Sequence, residues 1–297
     1  MNRIMSLAYD LCYITTKIHT EKKLSETQIE TGDATRFFIT FITPVGERLC
    51  LVTNRHVLEG KEKMSVYMNA KDTNGNPIDN RIVTCNISFS SWKEGVNYFF
   101  HPQVNQVTGK PYDLCVIPFG DIIPILEAQT NTPLYFKSFK EEHFMTNTNK
   151  STLDSIEDII MVGYPNGIWD DVNNRPIIRK GITATDPKVD YRNSQIFLID
   201  CACIQGSSGS PVLQYKEGLK AKVENGTLNL SDGIDYMLLG IQQSMPIKNL
   251  EAMIDSSSGT TTTLQTGEKI YVQIPINLGY ILKAELLLDF KNIIKWS

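Results

Sequence analysis

Two six-stranded antiparallel β-barrels closed by a C-terminal α-helix, an all-β chain, is the fold that the sequence predicts. Three observations lead to it. From Thr35 onward the chain breaks into short runs rich in Val, Ile, Phe, Tyr and Thr, bounded by turn signals. A polar connector divides these runs into two sets of six. Helical spacing is sustained in the last segment, as a stripe of large apolar residues. Six strands in under a hundred residues suit one small barrel, and the pattern occurs twice.

Residues 1–33 are polar, with Ile4, Leu7, Leu11, Ile14 and Ile18 at helical spacing. Tyr13-Ile14-Thr15-Thr16 is β-branched and aromatic, so a short helix running into a first strand is expected. The first set of strands falls at 36–42, 47–53, 63–69, 81–88, 97–101 and 112–118, which places a first barrel at about 34–120. Asp72-Thr73-Asn74-Gly75-Asn76-Pro77 is a turn by composition. Residues 121–155 are the connector, and Thr146-Asn147-Thr148-Asn149-Lys150-Ser151 belongs on the surface. The second set falls at 158–164, 177–185, 195–202, 210–215, 235–243 and 269–275, a second barrel at about 156–276. Insertions at 216–233 and 250–268 interrupt it, and the Ser/Thr run at 256–263 is too polar to pack. Leu278, Ile281, Leu282, Ala284, Leu287, Leu288, Phe290 and Ile293 predict a helix over about 278–294. The whole chain, 1–297, reads as one domain with no internal repeat.

Bulk properties narrow the function. With 297 residues and 41% hydrophobic content, the chain buries one large core or two small ones. Net charge is −4 and no Lys/Arg block stands out, so no nucleic-acid partner is expected. No run reaches the about 18 apolar residues of a membrane span, and the N-terminal apolar run is too short for a signal peptide. The six cysteines sit mostly in apolar strand-like runs and are expected to be reduced thiols, which implies a cytoplasmic location. Cys201-Ala202-Cys203 lacks a second ligand pair, so neither metal nor other cofactor is expected.

The chemistry centres on Gln205-Gly206-Ser207-Ser208-Gly209-Ser210-Pro211. A serine hydroxyl is a poor nucleophile unless a base stands beside it and donors await the oxyanion. Flanking glycines permit a tight turn with outward backbone N–H groups, and Gly206 and Ser208 are the candidate donors. The histidines, His19, His56, His101 and His143, all precede Ser208. An α/β-hydrolase needs Gly-x-Ser-x-Gly and a later histidine, so Ser210 and the absence of any following histidine exclude it. What remains is the order His, Asp, Ser. Residues 49–57 read as a strand ending at His56, and Asp113 leads the apolar run Leu114-Cys115-Val116-Ile117. Asp33 and Asp121 are rival acids, but neither directly leads an apolar strand. His19, His101 and His143 are expected to be exposed bystanders.

Together these segments resemble the trypsin/chymotrypsin-type serine peptidases, especially bacterial members without disulfides, including the glutamyl endopeptidase group. Thr53-Asn54-Arg55-His56 matches the histidine box, Asp113-Leu114-Cys115-Val116 the aspartate box, and Gly206-Ser207-Ser208-Gly209-Ser210-Pro211 the serine box. Val162-Gly163-Tyr164-Pro165 with Arg179-Lys180-Gly181-Ile182 resembles the strand, turn and strand opening the second barrel, so the likeness spans roughly 34–245. It implies a chymotrypsin-like fold and a serine endopeptidase working through an acyl-enzyme. His56 would be the base, Asp113 its orienting acid, Ser208 the nucleophile, and Gly206 and Ser208 N–H the oxyanion hole.

The resemblance also puts a primary pocket floor near Ala202 and Cys203, with a wall from Gln242, Gln243 and Ser244. No carboxylate stands at that floor to favour Lys or Arg. Gln242 replaces the histidine of glutamyl relatives, so an uncharged residue before the scissile bond is expected. Zymogen-type relatives carry, before the nucleophile, an acid that pairs with a newly cut N-terminus. Ser207 fills that place and no Ile-Val-Gly-Gly run exists, so activity without N-terminal cleavage is expected. Arg36 stands where relatives have glycine, either as a cation on the leaving-group side of the cleft or pointing to solvent. The partner would be a protein or peptide substrate, with a regulatory protein partner suggested by association; no membrane partner is expected. Two alternatives stay open: a catalytically silent protease-fold module that binds peptides or acts as a scaffold, and an esterase or acyltransferase using the same three residues. The run at 256–263 is either a lid or a passive insertion.

Overall fold

The structure, a computed structural model, describes residues 7–106, 108–224, 227–252 and 270–296. Helix α1 (Leu7–Ile14) runs directly into β1 (Thr15–Lys23), the conversion that the β-branched Thr15-Thr16 pair favours. The first lobe continues with β2 (Ile29–Thr43), β3 (Gly46–Thr53), the single-turn α2 (Arg55–Leu58), β4 (Lys63–Lys71), β5 (Pro77–Ser88), β6 (Phe99–Phe100) and β7 (Cys115–Pro118). Its sheet runs in the order β5-β4-β1-β2-β3-β7-β6. All six sequence-predicted strands are present, and β1 makes a seventh.

The connector is more structured than its composition implies. It holds α3 (Ile122–Thr130), β8 (Leu134–Tyr135) and β9 (Phe139–Lys140). Strand β8 pairs with β4 and β9 with β2, completing a nine-stranded, barrel-like sheet.

The second lobe is a closed six-stranded barrel. It is built from β10 (Asp158–Gly163), β11 (Ile177–Thr183), β12 (Ile196–Asp200), β13 (Pro211–Glu224), β14 (Thr227–Ser244) and, beyond a ribbon of β15 (Ile247–Ala252) and β16 (Ile270–Pro275), β17 (Leu278–Lys283). Two expectations are corrected here. The run at 269–275 lies in the ribbon rather than the barrel, and the barrel is closed by β17, whose residues were predicted to open the C-terminal helix. Short apolar runs satisfy both periods, so spacing alone did not decide. Gly279 does: an added Cβ would lie 2.5 Å from Cys203 Sγ, so β17 packs against the serine loop at a distance that suits a side-chain-free strand position. Helical structure begins later, as a 3₁₀ segment Ala284–Asp289 followed by α4 (Phe290–Ile293). The insertion at 216–233 is likewise no loop, because the β13–β14 pairing continues from Lys216↔Asp235 to Glu224↔Thr227. The 256–263 run lies outside the described residues.

Strand β2 connects the two cores. Alternate residues of a strand face opposite sides. Ala34 and Phe38 join the core inside the first lobe, with Leu51, Val57, Leu58, Val66 and Ile117. Phe37, Ile39 and Phe41 face the other way, into a cluster that includes Met161, Phe197, Leu213 and Leu282 of the second lobe. Each such side chain contributes about 1.5–3 kcal/mol of burial. The lobes are therefore fixed to one another by β2, the strand that leads towards the site. All six cysteines are free thiols; five are buried and Cys12 is half-buried.

Candidate active site

Strand β3 pairs with β7 so that Thr53 faces Cys115. The segments just beyond these two residues, 54–56 and 113, therefore emerge at one edge. Helix α2 buries Val57 and Leu58 in the first-lobe core and leaves His56 on the exposed side. Asp113 grips His56 at two points. Its Oδ1 accepts the His56 backbone N–H at 2.9 Å and its Oδ2 lies 2.6 Å from Nδ1. Asn54 Nδ2 donates to the Asp113 carbonyl at 2.8 Å, fixing the acid's backbone. The carboxylate side chain is 18% exposed against 52% for the imidazole, so the acid is shielded while the ring reaches the surface. A carboxylate on Nδ1 places the proton there and leaves Nε2 with its lone pair, the state a base requires.

The rival acids lie elsewhere. Asp33 pairs with His19 Nδ1 at 2.9 Å and with Lys17 at 3.6 Å, and Asp121 precedes α3. The other histidines are not exposed, which corrects the sequence reading. His101 is fully buried against Asp289, with its pKa lowered first by burial. His143 stacks on Tyr236 at 4.4 Å and is half-buried, as is His19.

The serine loop is a tight turn held by its own backbone. Ser207 N–H donates to Ile204 O at 3.1 Å and Ser210 N–H to Ser207 O at 3.0 Å. Gly206 and Gly209 both have φ of +82°, a region that penalises any side chain. Space is also absent: a Cβ on Gly206 would lie 2.6 Å from Tyr164 O, and one on Gly209 only 2.2 Å from Thr35 O. Asn166 N–H holds the Gln205 carbonyl at 2.7 Å. Among the described residues, the N–H groups of Gly206 and Ser208 donate to no protein group; Gly206 is buried and Ser208 half-buried.

Thr35 ties this turn to the first lobe. Its N–H donates to Ser208 O at 3.0 Å. Its hydroxyl donates to Gly206 O at 3.1 Å and accepts from Tyr164 N–H at 3.0 Å and Ser210 Oγ at 3.1 Å, which uses one hydrogen and two lone pairs. Thr53 Oγ1 in turn donates to Thr35 O at 3.1 Å, which links the serine turn to the strand end just before His56. No sequence signal marks Thr35, because the partners of its hydroxyl lie 129 to 175 positions away. Ser208 Oγ itself donates to Gln243 O at 3.5 Å, the long limit of a hydrogen bond. Asp113 is the one hydrogen-bond partner of the His56 ring among the described residues, so no His56–Ser208 bond is formed in this conformation.

The residues assigned to the primary pocket separate. Ala202 and Ser244 are exposed, Gln243 is half-buried, and Gln242 is 2% exposed with Oε1 unpartnered among the described residues. Cys203 is fully buried against Gly279, in the second-lobe core, and burial pushes its thiol up to about 12. Gln243 and Ser244 instead line a cavity of about 260 Å³ with Asn105, Tyr191, Ile196 and Tyr280. A second cavity, of about 270 Å³, is lined by His19, Asp33, Asn166, Gln205 and Gly206. Neither cavity is lined by Ser208, His56 or Asp113. Arg36 meets neither expectation: it is fully buried in the first lobe, with its three guanidinium nitrogens unpartnered among the described residues. Arg179, on β11, was not anticipated as part of the site. Its Nη1 donates to Ala202 O at 2.5 Å and to Ser207 Oγ at 2.9 Å. The described residues contain no group of three or more His, Cys, Asp or Glu able to hold a metal, and no helix long and apolar enough to cross a membrane.

Residues 40–219 match the family model described as a trypsin-like peptidase domain. No curated protein matches the chain. Among solved structures, the active form of a protease from M. tuberculosis is 14% identical with a TM-score of 0.42, covering 98% of this chain and 84% of that one. HL collagenase is 10% identical with a TM-score of 0.45, covering 96% and 95%. An inactivated protease paralogue from the scabies mite is 11% identical with a TM-score of 0.43, covering 95% and 96%. At these scores the neighbours decide nothing about this chain's chemistry.

Proposed function

The chain belongs to the trypsin-like peptidase family, and from that premise we propose that it is a serine endopeptidase with Ser208 as nucleophile. His56 Nε2 takes the Ser208 proton as Oγ attacks a peptide carbonyl. The N–H groups of Gly206 and Ser208 hold the oxyanion, and the imidazolium returns the proton to the leaving amine. Water then attacks the acyl-enzyme with His56 again as base. Asp113 keeps the proton on Nδ1 and offsets the imidazolium charge without accepting the proton. Each oxyanion donor contributes about 2.7–4 kcal/mol to the barrier reduction.

The observation that carries this reading is the two-point grip of Asp113 on His56, which fixes both ring orientation and tautomer. The fully buried, uncharged Ser207 supports activity without N-terminal cleavage, because nothing at that position calls for an ammonium partner. The lack of any disulfide supports work in a reducing compartment, the cytoplasm. The substrates on this reading are proteins or peptides, with an uncharged residue before the scissile bond, since no carboxylate stands at Ala202 or Cys203.

One observation favours a second reading, a catalytically silent peptide-binding module: Ser208 Oγ is directed to Gln243 O rather than His56. A fluorophosphonate probe separates the two. An active enzyme is labelled and its Ser208→Ala variant is not; a silent module is unlabelled in both forms. Digestion of a peptide library then distinguishes endopeptidase from esterase or acyltransferase, which leaves the peptides intact.

A further inference from the structure

The segment 202–207, which leads into the nucleophile, is held at both ends by one guanidinium nitrogen. Arg179 Nη1 donates to the Ala202 carbonyl at 2.5 Å and to Ser207 Oγ at 2.9 Å. Ser207 is fully buried, and its hydroxyl accepts a second N–H, from Ile204, at 3.4 Å. Arg179 Nε and Nη2 are buried and unpartnered among the described residues, and the acceptors its Nη1 meets are both neutral. A partly buried cation facing only neutral acceptors costs desolvation that an apolar side chain of similar volume avoids. Stability therefore does not account for Arg179; what it holds does. Between its two anchor points lies Gly206, and directly after them Ser208, whose N–H groups both donate to no protein group among the described residues.

We propose that Arg179 is a positioning residue that clamps residues 202–207, so that the Gly206 and Ser208 N–H groups stay open to an oxyanion without a newly cut N-terminus. The clamp rests on the endopeptidase reading for its purpose, but its effect on the turn is measurable without turnover. Loss of the guanidinium frees the Ser207 hydroxyl and the Ala202 carbonyl together. The turn then loses its side-chain tie to β11, keeping its backbone bonds and those to Thr35, while the barrel, closed through β10-β11-β12-β17-β14-β13, keeps its backbone pairing.

The test compares wild type with Arg179→Met, Arg179→Lys and Ser207→Ala. It measures the rate of fluorophosphonate acylation, kcat and KM on a peptide substrate, and amide hydrogen exchange across residues 203–210. Arg179→Met is expected to slow acylation and kcat by on the order of 10²-fold, comparable to losing an oxyanion donor, with KM changed less than about threefold. Amide exchange in the turn rises about tenfold and that of β1 to β4 does not. Arg179→Lys recovers part of the rate. Ser207→Ala removes one acceptor only and gives a smaller loss, so it reads out the clamp even if Arg179→Met fails to fold. Acylation within about threefold of wild type in Arg179→Met, with unchanged exchange in the turn, overturns the proposal. If wild type itself does not react with the probe, the endopeptidase reading fails separately, and turn exchange alone then decides whether the clamp stands.

Discussion

Replacing Asp113 by Asn tests the proposed chemistry at the point where geometry makes the outcome most specific. Asp113 now offers two acceptors to two N–H groups: the His56 backbone at 2.9 Å and Nδ1 at 2.6 Å. The backbone group can only donate. The Asn amide must therefore turn its oxygen to that N–H and its NH₂ to Nδ1. Nδ1 then has to accept, the ring proton moves to Nε2, and the lone pair that takes the serine proton is gone. In a Ser-His-Asp site this wrong tautomer lowers the rate by about 10⁴-fold, or about 5.4 kcal/mol at 1.36 kcal/mol per decade. Size and backbone hydrogen bonding are retained, so the melting temperature should move by a few degrees at most. The assay is kcat/KM on a peptide substrate, with fluorophosphonate acylation as an independent measure. An Asp113→Asn enzyme within tenfold of wild type would refute the assignment, since no other acid among the described residues contacts the His56 ring.

Gly206→Ala forces a side chain onto a φ of +82° and against Tyr164 O at 2.6 Å, so acylation should fall by on the order of 10²–10³-fold while β1 to β4 keep their exchange protection. Thr35→Val keeps the shape but leaves Gly206 O, Tyr164 N–H and Ser210 Oγ short of a buried partner; urea unfolding should show a loss of about 1–3 kcal/mol, with slower acylation. Arg36→Met should be neutral or stabilising by about 1–4 kcal/mol, because the guanidinium is buried without a partner. Burial lowers the Arg36 pKa to about 9 in the folded state. Between that value and the ordinary arginine range the unfolded chain binds more protons, so wild-type stability gains with rising pH over this window. The advantage of Arg36→Met should therefore be constant below about pH 9 and shrink above it; an advantage that stays flat would show that Arg36 carries no such penalty.

Much of this was legible in short-range sequence. Thr53-Asn54-Arg55-His56 and Asp113-Leu114-Cys115 carry their own context, a strand end on which a polar residue is placed by apolar neighbours. The glycines at 206 and 209 report a backbone that only glycine adopts readily. What stayed hidden depends on partners distant in the chain. Residues 278–283 satisfy helix and strand periods alike, and only the open edge of the barrel selects strand. Arg36 looks like a surface cation by type, yet it lies on the inward face of β2 with Ala34 and Phe38. Cys203 was expected at a pocket floor and packs on Gly279 instead, a contact made by a strand some 76 positions later (279 − 203). Thr35 and Arg179 have no motif because their roles are defined by the turn they touch.

Whether the conformation of Ser208 speaks for a silent module turns on the relative cost of moving two things. A serine Oγ is redirected by rotation about its single χ1 bond, between staggered wells that side chains commonly populate. It gives up a hydrogen bond of 3.5 Å, which is weak at that length. Moving the turn is another matter. Its backbone is fixed by Thr35 N–H on Ser208 O, by Gly209 N–H on Gln242 O at 2.9 Å, and by the absence of room behind Gly206 and Gly209. Catalytic hydrogen bonds are often long or misaligned before substrate arrives. The backbone of the turn is thus the rigid part of this segment and the direction of the Ser208 hydroxyl the soft part. The Ser208–Gln243 contact therefore carries little weight as an argument for a scaffold, and the labelling of Ser208 is what separates scaffold from enzyme.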